Sequence, residues 1–156
     1  MNYKSYMTTP ATASYPATPD MSLELAERVL ARLQSEANAV GVRLAVAVVD
    51  RGGNLVAALR MDGAQLGANS LALDKAYTAV AFGLPTGAWA DSSTPGSSDW
   101  GLAATLEGRA VVFPGGVPVF LDGHLIGGVG VSGAKSTVDE GCAEKAVAGA
   151  GLSTSR

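Results

Sequence analysis

Apolar residues recur at Ala26, Val29, Leu30, Leu33, Ala37 and Val40, the three- and four-residue spacing of a helix face. Ser22 is placed to cap that helix and Gly41 to stop it, which predicts a helix over 23–40. The next run, "VRLAVAVVD", is apolar and β-branched and reads as a strand. "RGG" with Asn54 makes a turn, and "LVAALRM" is the returning strand of a hairpin. Asn69 or Ser70 caps a second helix over roughly 70–82, ended by Gly83 and Pro85. "PTGAWADSSTPGSSDWGLAATLEGR" is rich in Ser, Pro and Gly and predicts a long loop, the length expected of a lid. Three short strands follow, "AVVF", "VPVFLD" and "HLIGGVGVSG", the last two joined at Asp122-Gly123. Thr137 and Glu140 have capping-box spacing for a final helix to about 149. The order α-β-β-α-β-β-β-α predicts an α/β (α+β) fold, with helices flanking a central, mainly antiparallel five-stranded sheet. One domain spans 21–151, between an N-terminal arm (1–20) and a short tail (152–156).

Composition narrows the function. The 156 residues are 47% hydrophobic and carry a net charge of −3, which fits a globular chain. No basic run is present, so nucleic acid is not the expected partner. No apolar run approaches the roughly 20 residues of a membrane span. One cysteine (Cys142) and one histidine (His124) exclude an internal disulfide and the usual Cys/His zinc sites, so no metal is expected. The first 20 residues lack the apolar segment of a signal peptide, so the expected location is the cytoplasm. Twenty glycines suggest close backbone packing and are compatible with subunits packing on one another.

Few residues carry chemistry. "GVGVSG" (128–133) matches G-x-G-x-x-G, but no strand with an acidic residue follows about 20 positions on, so it does not read as a dinucleotide site. Its glycines instead admit a close neighbour: another backbone, a helix or a flat ligand. Lys75 shares a helical stripe with Leu71, Ala72, Thr78, Ala79 and Phe82, while Ser70, Asp74 and Tyr77 form a more polar one. It is either a snorkelling core-edge lysine or an ammonium aimed into a pocket. Alternation along the second strand puts Val56, Ala58, Arg60 and Asp62 on one face. Arg60 and Asp62 are either an ion pair ending the hairpin or an arginine held ready for a carboxylate ligand. His124 falls at a hairpin tip, as an exposed turn residue or as a heme ligand or proton shuttle. Cys142 reads as a small buried residue, and Trp89 and Trp100 as pocket caps or loop anchors.

Taken together, "VVDRGGNLVAALRMDGA", "LDKAYTAVAFGLPT", "FPGGVPVFLDGHLIGGVGVSGA" and "DEGCAEKA" resemble the GlcG/HbpS family, the heme-degrading domain family, over roughly 22–150. The resemblance implies a profilin-like α/β sandwich that forms homo-oligomers. Carried over by position, the family's Arg-Met-Asp falls on Arg60, Met61 and Asp62, and its lysine on Lys75. Its Gly-Gly-x-Pro turn falls on Gly115, Gly116 and Pro118, and its last strand motif on Gly130, Val131, Ser132 and Gly133. A heme-binding member can use a histidine from the first helix. Here "LELAERVLARLQSEANAVG" has none, so ligation would pass to His124, Tyr77, Met61 or a neighbouring subunit. Two functions follow as expectations. The first is a small-molecule-binding protein for heme, another tetrapyrrole or a carboxylated molecule, held by Arg60, Met61, Lys75, Gly115, Gly116, Pro118, Gly130 and Ser132. The second is a cofactor-independent isomerase, lyase, hydratase or decarboxylase on a small carboxylated or carbonyl substrate. There Lys75 is base or anchor, Arg60 the anion clamp and Asp62 the orienter or acid/base, with His124 reaching in from another subunit.

Overall fold

The computed structural model describes residues 17–156; the arm expected at 1–20 lies largely outside them. Ser22 stands in extended backbone, and its hydroxyl accepts the Leu25 N–H at 3.2 Å. Helix α1 (Leu23–Val40) starts there and ends at Gly41, which takes the left-handed conformation at φ 75°. Strands β1 (Ala45–Asp50) and β2 (Leu55–Arg60) form the expected hairpin. Asp50 builds its turn by accepting the N–H groups of Gly52 and Asn54, each at 2.9 Å.

Helix α2 (Ala68–Phe82) begins two residues earlier than expected, and neither Asn69 nor Ser70 caps it; Gly67 precedes it without a side-chain bond. The long loop follows with short 3-10 turns at Thr86–Trp89, Leu102–Ala104 and Leu106–Gly108. Strands β3 (Gly116–Leu121) and β4 (His124–Ser132) and helix α3 (Ser136–Gly149) complete the fold.

The five-stranded expectation is corrected. Among the described residues the sheet has four strands, in the order β2-β1-β4-β3, with antiparallel neighbours throughout. "AVVF" is no strand because α2 takes its hydrogen bonds. The Val111 N–H donates to Thr78 Oγ1 at 3.0 Å, and that hydroxyl also lies 3.1 Å from the Arg109 carbonyl. The Thr137–Glu140 capping box does not form either. Lys135 occupies the cap, and Asp139 accepts the Ala134 N–H at 3.0 Å.

Helices α1 and α3 cover one face of the sheet, packing on Val46, Val48, Val117, Val119, Ile126, Val129 and Val131. α2 covers the other, over β4, β1 and β3. The glycines of "GVGVSG" are its seat. A Cβ at Gly130 would strike the Ala72 carbonyl, one at Gly128 the Ala76 carbonyl, and one at Gly116 the Lys75 carbonyl. β2 lies outside this cover, and Leu55, Ala58 and Arg60 are exposed. Part of the expected tail belongs to the fold, since Leu152 is buried and Ser153 bridges to Phe120.

Candidate functional site

Lys75 is the most buried charge among the described residues, at 1% exposure. Its Nζ donates to the Val131 carbonyl at 2.8 Å and to Asp139 Oδ2 at 3.2 Å. The side chain passes from the α2 layer around the end of the sheet to the first turn of α3. Gly115, at φ 124°, makes that passage possible, because a Cβ there would meet Nζ. The Phe113 ring lies 5.2 Å from the ammonium. Burial pushes the Lys75 ammonium below its ordinary value and the Asp139 carboxyl above its own, each opposed by the other's charge. Burial also raises the adjacent Glu140 carboxyl, helped by Glu144. The Gly115 and Gly87 amides pull it back without closing a hydrogen bond on Oε1, which is buried and unpartnered. Lys75 is therefore neither a snorkelling lysine nor a pocket ammonium. It is an internal strut between α2 and α3.

Arg60 does not join it. The guanidinium is exposed at the end of β2, and Nη2 donates to the Ala64 carbonyl at 3.1 Å. Arg60 pairs across to Ala45, which pairs to Ser132, so β1 stands between Arg60 and the strand that Lys75 touches. Asp62 is exposed and forms no ion pair with Arg60 among the described residues. It borders a shallow hollow with Gln34, Asn38, Arg43 and the largely buried Met61.

On the α2 side of β2 a strip left bare by the described residues forms a second hollow. Val46, Ala47, Leu55, Ala58, Asn69, Ser70 and Leu73 line about 270 Å³. The register change near Val48 and Val49 turns Leu55 to the same side as Ala58. Alternation places Arg60 on that side as well, at one end. The floor is apolar, and the other polar groups at hand are Asn69, Ser70 and an α2 N-terminus without a side-chain cap.

The family model for "Haem degrading protein HbpS-like" matches residues 21–148. The chain belongs to the HbpS-like family. A 15.0 kDa Citrobacter freundii protein, from the dhaT-dhaS intergenic region and uncharacterized, is 38% identical over 81% of this chain and 89% of its own. The crystal structure of Klebsiella pneumoniae ORFY superposes with a TM-score of 0.85 at 31% identity, covering 92% of this chain and 98% of that one. A PduOC:heme complex superposes at 0.84 with 33% identity, covering 88% and 99%.

The remaining candidates of this HbpS-like chain are dispersed. His124 is exposed at the start of β4, and Ser132 is buried at its other end, roughly 26 Å away at strand rise. His124 thus lies far from Lys75 and Arg60 within one copy. Pro118 is buried in β3 opposite Gly128. Gly116 and Gly130 are sealed by α2, which leaves no room for a ligand there. Tyr77 is covered by the Arg109 guanidinium, 3.7 Å from its ring centroid. Trp89 anchors the loop against Phe82 at 5.0 Å between ring centroids, whereas Trp100 is exposed. Cys142 is buried, as expected. A third hollow of about 560 Å³ lies among Phe82–Pro85, Phe120, Leu125 and residues 154–156. No helix among the described residues is long and apolar enough to cross a membrane.

Sequence reasoning missed Asp139 and the bare strip. Asp139 was within reach, since it shares a helical stripe with Cys142, Ala143 and Ala146. The strip was not, because a bulge reverses the face of Leu55.

Proposed function

We propose that this chain binds a flat, carboxylated ligand of the heme or tetrapyrrole class on the bare strip of β2. Leu55, Ala58 and Leu73 form the apolar floor, and Arg60 clamps a carboxylate. The observation that carries the reading is the likeness to the PduOC:heme complex, which this chain matches over 99% of that chain. The hollow supports it chemically. An apolar surface suits a macrocycle's face, and an arginine with unused N–H donors suits its acid groups.

The lining offers an apolar surface to a macrocycle's face but no ligand to a metal at its centre. None of the lining residues is a His, Cys, Met or Tyr. Bound heme would supply its own redox chemistry, while these residues only seat and orient it. Lys75 has no part in the reading, because it is buried at 1% exposure and two of its three N–H donors already go to Val131 and Asp139. The catalytic alternative as expected from the sequence does not find its own set together in one copy, since Arg60, Lys75 and His124 lie in three separate places.

Titrating the purified protein with hemin and with metal-free protoporphyrin IX tests the reading. Both should saturate at a defined stoichiometry with similar affinity. Arg60→Ala should weaken both by about tenfold or more, the scale of a charge-assisted hydrogen bond. Absence of saturable binding by either macrocycle would overturn it.

A further inference from the structure

The long loop is fixed to the body at two points. Thr86 is fully buried, and its hydroxyl accepts the Gly116 N–H at 2.9 Å. Arg109 stacks on Tyr77, its Nε donates to Asp74 at 3.1 Å, and its carbonyl accepts the Thr78 hydroxyl. Between these points no residue of 87–108 is buried. From Ala90 to Gly108 every hydrogen bond among the described residues stays within the loop. The Asp99 N–H, 2.9 Å from the Ser92 carbonyl, ties its two limbs together. Leu106, Glu107 and Gly108 run left-handed just before Arg109, at φ 52°, 60° and 79°. Two of them carry side chains, which disfavour that conformation, so this joint is strained. The loop therefore has the build of a flap: bonded to itself, pinned at both ends and strained at one.

It rests on the body at two places. Trp89 packs on Phe82, and Gly87 lies against Glu140. A Cβ at Gly87 would stand 3.2 Å from Glu140 Oε1 and 3.0 Å from Pro114 Cγ. Glu140 Oε1, Trp89 Nε1 and Ser93 Oγ are all buried there without a hydrogen-bond partner. A closed seat that keeps such atoms from water is held weakly.

We propose that residues 87–108 swing as one flap about Thr86 and Arg109, and that the Glu140 carboxyl beneath Gly87 lets the flap close when protonated and drives it open when ionised. Opening lifts Gly87 away and returns Oε1 to water. Closure favours the protonated form, since burial and Glu144 raise the Glu140 carboxyl while Gly115, Lys75 and Gly87 only partly oppose them. The remaining charge beside it, Asp139, is tied to Lys75 and the Ala134 N–H. Pro114, Gly115 and Gly87 bring no titratable group. A carboxyl raised by closure favours the closed flap fully below its ordinary value of 4.5, and that preference is lost as pH rises through the raised value. Opening bares Phe82, which also borders the hollow beside Phe120. No flap residue lines the strip on β2, so the macrocycle reading stands or falls separately.

Trp89 reports the motion once the exposed Trp100 is replaced, so the test is acrylamide quenching of the full chain carrying Trp100→Phe. Between pH 4.5 and pH 8 the quenching constant should rise by about twofold or more, with far-UV circular dichroism unchanged. Glu140→Gln keeps a neutral group under Gly87 and should hold quenching at its low-pH value throughout. Glu144→Gln removes a charge that raises Glu140 and should move the midpoint to lower pH. Flat quenching, a rise that survives Glu140→Gln, or a midpoint unmoved by Glu144→Gln would overturn the proposal. Amide exchange of the unsubstituted chain, corrected for intrinsic rates, gives a second reading. Protection within 87–100 should fall as pH rises while that of β1 and β4 holds; loss in both regions or in neither would also overturn it.

Discussion

At the scale of single residues, Lys75 and Asp139 set the clearest energetic problem. Two charges at 1% and 2% exposure have left water, and their 3.2 Å contact must offset that loss. Removing one partner strands the other, at a cost of about 3–5 kcal/mol, whereas removing both charges is often neutral. Lys75→Met should therefore be strongly destabilising in urea unfolding at pH 7, and Lys75→Met with Asp139→Asn should recover most of the loss. A double variant as unstable as the single one would show that the charges, not their mismatch, hold α2 to α3. The pH dependence has a definite sign. Burial raises the folded-state Asp139 carboxyl, and Lys75→Met removes the cation that lowers it. A group raised on folding contributes stability that is full below its unfolded value of 3.8 and lost as pH rises through the folded value. The deficit of Lys75→Met should accordingly shrink between pH 7 and pH 4.5. Half of this pair was legible in the sequence, because a lysine on an apolar stripe stands out. Asp139 was hidden by the competing capping pattern of Thr137 and Glu140, although its own spacing was equally informative.

At the scale of elements, local chemistry predicted best where it was self-sufficient. α1 has its cap, its stripe and its stop within one stretch of chain, and its sequence predicts both ends, Leu23 and Val40. Ser22→Ala should lower stability by about 0.5–2 kcal/mol, measured by urea titration, because it removes the bond to the Leu25 N–H. Elements that depend on a distant partner were read less well. "AVVF" has a strand's composition, yet Thr78 on α2 captures its backbone. The glycines of β4 predict a close neighbour, and the neighbour is α2. Gly130→Ala forces a methyl group against the Ala72 carbonyl. Overpacking of this kind costs about 1–3 kcal/mol, and the rigid backbone on both sides favours the upper end. A thermal melt unchanged from wild type would refute the close seat.

At the scale of the whole molecule, what matters is where the layers stop. Among the described residues two helices cover one face of the sheet, but a single helix covers the other and does not extend over β2. No sequence pattern reports that shortfall, since Leu55 and Ala58 look like ordinary strand residues. The hollow they leave gives a direct test of the ligand reading. Ala58→Trp should fill it and abolish macrocycle binding in the titration, while the exposed position keeps the stability change within about 0.5 kcal/mol. Retained binding would move the site elsewhere, the larger hollow beside Phe120 being the alternative.

The strapping of the domain's two ends has a practical consequence. Met21 donates its N–H to the Ile126 carbonyl, and Ser153 exchanges backbone bonds with Phe120. Phe120 and Leu125 are cross-strand neighbours in the same hairpin, so entry and exit lie at one spot. Such a module can be spliced into a loop of a host protein without prising the host apart. It can also be circularly permuted, by joining its ends there and opening the chain in the exposed segment near Thr94–Gly96.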